Sequence, residues 1–121
     1  MLDQFSRTRM LLGDEGMERL ARACVAVRGI GLAAELAAEA LTRSGVGAVD
    51  IYGGSETIKA RMLDINPELE INVFPIETEV KKEYDSIINT DDMEVGALPH
   101  EQMAAGLIAA GSAVRRLAGT V

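Results

Sequence analysis

The stretch Gly29-Ile30-Gly31-Leu32-Ala33-Ala34 satisfies the G-x-G-x-x-[G/A] spacing. It follows a short apolar run, Cys24-Val25-Ala26-Val27, and opens the helix-prone segment from Leu32 to Arg43. In that setting the residue types suit the cradling of a phosphate. Gly29 permits a tight turn, Gly31 lets the backbone approach an anion, and Ala34 is small enough for close packing of helix on strand. The start of a helix adds N–H groups and a positive dipole end. A phosphate ligand and the short strand-to-helix turn itself each account for the glycines. Arg28, just before the turn, reads equally as a phosphate contact or a solvated charge. An acidic residue ~20 positions on should hold a ribose. Gly53 and Gly54 stand at that place, and Asp50 lies inside the strand before them.

Other site chemistries fall away. With a single cysteine, Cys24, and a single histidine, His100, the chain has no disulfide framework, no Cys-rich zinc site and no multi-histidine metal centre. Cys24 at the head of an apolar run reads as a small core residue. His100, next to Glu101, reads as a surface side chain. The formal charge of -7 opposes nonspecific nucleic-acid binding, which needs a basic face. Apolar runs fall well short of the ~20 residues that span a bilayer. Asp3, Arg7 and Arg9 break up any secretory h-region. The expectation is a cytoplasmic protein without a membrane segment.

Positioning the turn requires alternating strands and helices over these 121 residues. A helical arm over 1–23, interrupted between Gly13 and Gly16, precedes an α/β core over 24–121. Strands are expected near 25–28, 48–52, 70–74 and 86–89. Helices are expected near 32–43, 56–65 and 99–117, with Ser55 as an N-cap, Gly45 past a helix end and Asn66-Pro67 as a stop. Strand–helix alternation implies a mostly parallel sheet with right-handed crossovers. The expected fold is one Rossmann-like three-layer sandwich of order 3-2-1-4. Aromatics are 3% of the chain, so the core must be built from Ala, Leu, Ile, Val and Met.

Phe5-Ser6-Arg7-Thr8-Arg9-Met10-Leu11-Leu12-Gly13, Gly16-Met17, Val25-Ala26-Val27, Gly29-Ile30-Gly31 and Ala37-Ala38-Glu39-Ala40-Leu41 resemble the ThiF/MoeB/HesA superfamily. These are ATP-dependent adenylating enzymes related to ubiquitin-activating enzymes. Ser44-Gly45-Val46-Gly47-Ala48 and Leu63-Asp64-Ile65-Asn66-Pro67 resemble its tRNA threonylcarbamoyladenosine dehydratase branch in particular. The resemblance spans about residues 1 to 92. It implies ATP and magnesium as cofactors and tRNA as partner, the last opposed by the net charge. It also implies a homodimer in which Arg7 reaches ATP phosphates across the interface. Gly29 and Gly31 match the first two glycines of the family's phosphate loop, and Asp92 matches its magnesium-binding aspartate.

The departures are local. Leu32, Ala33, Ala34 and Glu35 replace the rest of the family's longer glycine loop. The family's Asn-Leu-Asn-Arg-Gln segment is missing between Tyr52 and Glu56, and with it the ATP-contacting lysine; Lys59 aligns with a later one. The expected function is an adenylating enzyme of this type reduced to weak nucleotide binding or to inactivity. The alternative is a non-catalytic scaffold or self-assembly domain.

Overall fold

The computed structural model describes residues 5–94 and 98–119, and of Asp92 and Glu94 only the backbone. Helix α1 (Ser6–Arg22) leads into β1 (Cys24–Arg28), α2 (Leu32–Ser44), β2 (Ala48–Tyr52), α3 (Glu56–Ile65), β3 (Glu70–Phe74), β4 (Ser86–Asn89), α4 (Asp91–Glu94) and α5 (Pro99–Ala118). The four strands form one parallel sheet of order β3-β2-β1-β4, the expected Rossmann-like α/β arrangement. Local signals set the boundaries. Gly13 breaks α1 with φ 78° and ψ 168°. Ser55 caps α3 by accepting from the Ile58 N–H at 3.3 Å, and Gly45 closes α2 in the left-handed region.

Register aligns Val25 with Val49 and Ile71, and Val27 with Ile51, Val73 and Ile88. Strand side chains alternate, so these residues share one face. There all of them but Val73 join one apolar cluster with Leu12, Met17 and Leu20 of α1, Ala34, Ala37, Ala38 and Leu41 of α2, Met62 of α3, and Ala110, Ala113, Val114 and Ala118 of α5. Small residues let the helices approach. A Cβ on Gly106 of α5 would overlap the Ala33 carbonyl of α2.

The other face mixes polar side chains with Ala26, Tyr52, Phe74 and Ile87. Asp50, on the central strand β2, is buried and fully partnered. Its Oδ1 accepts from Asn72 Nδ2 at 3.0 Å, its Oδ2 accepts from the Tyr84 hydroxyl at 2.6 Å, and Lys82 Nζ lies 3.8 Å from Oδ2. Tyr52 stacks on Phe74 at 4.9 Å between ring centroids. Residues 75–85, which carry Lys82 and Tyr84, are thereby fastened over β2. The helical arm is only partly absorbed into the fold. Leu12 is buried and Phe5 packs on the core, whereas Met10 and Leu11 stay exposed; the arm's first four residues lie outside the described residues.

Candidate functional site

In open α/β sheets ligands bind outside the carboxyl ends of the strands, at the point where strand order reverses. Here that point lies between β1 and β4. The Gly29–Gly31 turn stands beside it. The Gly29 N–H donates to the Tyr52 carbonyl at 3.0 Å and the Gly53 N–H donates to the Phe74 carbonyl at 2.8 Å, so both turns continue the sheet's ladder. Gly29 and Gly31 have φ of 144° and 131°, a region that favours glycine. Helix α2 starts immediately behind, with no side-chain cap at Gly31.

A cavity of about 200 Å³ opens at this turn, lined by Gly29, Gly31, Ala34, Glu35, Gly53 and Ser55 among others. Ligand pockets for whole small molecules run roughly 300–1,000 Å³, so this one has room for a phosphate-sized group but not for a whole nucleotide. Gly53 explains the shortfall. A Cβ placed there would lie 2.6 Å from the Gly29 carbonyl oxygen and 3.0 Å from side-chain atoms of Ile30 and Ile76, so the second turn is packed directly on the first. In the sequence Gly53 reads only as the absence of a ribose-binding acid; its close approach to Gly29 is visible only in three dimensions.

The electrostatics disfavour an anion. Among the described residues the lining holds one carboxylate, Glu35, and no cation. Arg28, the neighbouring cation in sequence, is ion-paired with Asp91. The Thr90 N–H and Oγ1 also donate to the Arg28 carbonyl, at 2.8 and 2.9 Å.

A larger cleft of about 740 Å³ sits at the opposite, amino-terminal edge of the sheet, lined by Arg22, Asn66, Glu68 and Glu70 among others. Its size is outweighed by its place, since strand amino ends are not where such sheets bind ligands. Cys24 is half-buried, and burial pushes its thiol up while Lys82 partly opposes the shift. It is therefore a poor nucleophile at neutral pH. His100 is exposed at the start of α5. Among the described residues no group of three or more His, Cys, Asp or Glu is arranged to hold a metal ion. No helix among them is long and apolar enough to cross a membrane.

No protein-family model matches the chain. In an alignment of 94 positions that covers 59% of this chain, it is 40% identical to the tRNA threonylcarbamoyladenosine dehydratase of Bacillus subtilis (strain 168). Over that stretch the chain is a relative of this dehydratase. It spans 37% of that dehydratase. The E. coli tRNA N6-threonylcarbamoyladenosine dehydratase TcdA, solved in complex with AMP, superimposes with a TM-score of 0.55 at 28% identity, covering 58% of this chain and 38% of that one. E. coli MccB, solved with ATP, superimposes with a TM-score of 0.80, covering all of this chain and 64% of that one. At 11% identity the MccB likeness concerns the fold alone.

The positions that the sequence resemblance singles out are only partly brought together. Gly29, Gly31 and Ala34 line one cavity. Arg7, on α1, lines a separate cavity of about 280 Å³ with Thr8, Leu11, Ser44, Gly111 and Arg115. The Asp92 side chain lies outside the described residues; its backbone sits in α4.

Proposed function

We propose that this chain is a reduced ThiF/MoeB-type module that binds the phosphates of an adenine nucleotide weakly at the Gly29–Ala34 turn and does not itself adenylate a substrate. The observation that carries this is the 200 Å³ cavity opening at the turn with α2 beginning behind it. The dehydratase relatives, one of them solved with AMP, support adenine as the base. Weakness follows from the lining. A phosphate would meet backbone N–H groups but also Glu35, and removing preorganised cationic contacts costs several kcal/mol of transition-state stabilisation. Arg7 is proposed to act across a dimer, and Asp92 to meet magnesium arriving with the nucleotide. Among the described residues the second fits poorly, because the adjacent Asp91 carboxylate is engaged by Arg28. Catalytic steps and tRNA recognition are not assigned to this chain, whose net charge of -7 opposes polyanion binding.

Calorimetric titration with ATP and magnesium tests the reading. A dissociation constant on the order of 1 mM, about -4 kcal/mol, is expected. A constant in the low micromolar range would contradict the weakness, and no heat at tens of millimolar would contradict the site.

Glu35 in the lining specifically favours a second reading, a scaffold or self-assembly domain that binds no nucleotide. Absence of binding by Glu35→Gln as well as by the natural chain would favour it.

A further inference from the structure

We infer that the cleft at the amino-terminal edge of the sheet is a second binding site, suited to an amino acid whose ammonium and carboxylate groups stand several bonds apart. Three observations converge. First, the carboxyl ends of three helices meet there. Ala23, Gly45 and Asn66, the C-cap residues of α1, α2 and α3, all line the cleft. Open parallel sheets take anions at their other end, where helix amino ends gather; the negative dipole ends gathered here favour a cation. Second, Glu68 and Glu70 line the same cleft, and among the described residues neither forms an ion pair; Glu70 acts on Lys82 only through its field. Third, the lining also offers donors. Asn66 is 9% exposed, and its Oδ1 accepts from the Glu68 N–H at 3.1 Å, whereas its Nδ2 has no partner among the described residues. No fully buried side-chain nitrogen there lacks a partner, so this one opens to the surface, and the cleft is the cavity that Asn66 lines. Arg22, in the same lining and without an ion pair among the described residues, adds a cation.

Size and spacing fit this class. The volume of about 740 Å³ lies within the range of small-molecule sites. Cys24, Ala48 and Glu70 align across β1, β2 and β3, so Glu70 stands two strand spacings, roughly 9.5 Å, from the start of β1. Arg22 leads into that start. Arg22 and Asn66 Nδ2 are the donors available to a carboxylate, in charge-assisted hydrogen bonds; Glu68, Glu70 and the helix ends draw the ammonium. The inference is independent of the Gly29 turn, which lies at the opposite end of the strands.

The test is calorimetric titration of the intact chain with 6-aminohexanoate, hexanoate and hexylammonium. The zwitterion is expected to bind roughly threefold or more tighter than either singly charged probe, the scale of a partly exposed ion pair. Arg22→Gln is expected to remove its advantage over hexylammonium, and Glu68→Gln/Glu70→Gln its advantage over hexanoate. Asn66→Asp keeps the acceptor for the Glu68 N–H and loses the donor, and it is expected to weaken the zwitterion while leaving hexylammonium at least as well bound. No binding of any probe at tens of millimolar, or a singly charged probe that matches the zwitterion, would overturn the inference. An advantage over hexylammonium that survives Arg22→Gln would overturn it too. Saturating ATP and magnesium should leave the affinity for 6-aminohexanoate unchanged; competition would put the probe at the Gly29 turn and overturn the second site. Urea midpoints separate lost contacts from lost folding, and if Asn66→Asp does not fold, the exposed Arg22 and Glu68/Glu70 variants decide the outcome.

Discussion

The Tyr84 hydroxyl donates a 2.6 Å hydrogen bond to Asp50 Oδ2 across 34 positions of chain, and it lies 2.7 Å from the Tyr52 hydroxyl. Its proton being committed to the carboxylate, Tyr84 accepts from Tyr52. A buried carboxylate in mid-strand is tolerated only when hydrogen-bonded, and this contact also ties residues 75–85 to the sheet. Tyr84→Phe is expected to lower stability by about 2 kcal/mol, the scale of a hydrogen bond to a charged group. A urea midpoint equal to that of the natural chain would contradict it.

The same phenol has a pH signature. Burial first, then the Asp50 carboxylate and the Tyr52 hydroxyl, hold Tyr84 protonated well past the ordinary tyrosine range. An unfolded tyrosine ionises at about pH 10. Above that the unfolded chain binds fewer protons than the folded one, so this contribution is complete below about pH 10 and is lost as pH rises. Urea midpoints followed from about pH 9 to about pH 11 should fall less steeply for Tyr84→Phe than for the natural chain.

Two glycines should respond in opposite directions. A Cβ on Gly29 would overlap Thr90 Oγ1 on a backbone at φ 144°. Gly29→Ala is expected to destabilise by about 1–3 kcal/mol, as overpacking does. Gly111, inside α5, has nothing within 4 Å of a built Cβ. Gly111→Ala is expected to stabilise by up to about 1 kcal/mol through helix propensity. Midpoints moving in the same direction would contradict this pairing of causes.

The elements were legible because their signals are local: the apolar run at Cys24–Val27, the Gly13 break, the Ser55 cap and the Asn66-Pro67 stop all act within one turn of chain. Strand order was legible because crossover handedness restricts it. Contacts around the candidate site are not local. Arg28 and Asp91 are 63 positions apart, and Gly53 meets Gly29 only after β1 and β2 pair. Sequence spacing therefore marks a phosphate turn at Gly29–Ala34 but says nothing of the neighbours that narrow it. Asp50, which lies inside the strand before the place of a ribose-binding acid, has its carboxylate engaged by Tyr84 and Asn72.

Exposed apolar side chains bear on assembly. Met10 is 85% exposed, Leu11 66% and Ile108 72%. The proposed dimer would cover such surface and is expected to show twice the 12.9 kDa chain mass by light scattering at tens of micromolar. Ile108→Glu should return the mass to one chain if that surface is used. A single-chain mass for the natural protein would remove the role proposed for Arg7 across an interface.

The most direct test of the central claim is an amide chemical-shift titration with ATP. Saturable shifts at Gly29, Ile30, Gly31 and Ala34, with a midpoint on the order of 1 mM, are the predicted result. Silence at those amides, or shifts confined to the cleft around Arg22 and Asn66, would contradict it.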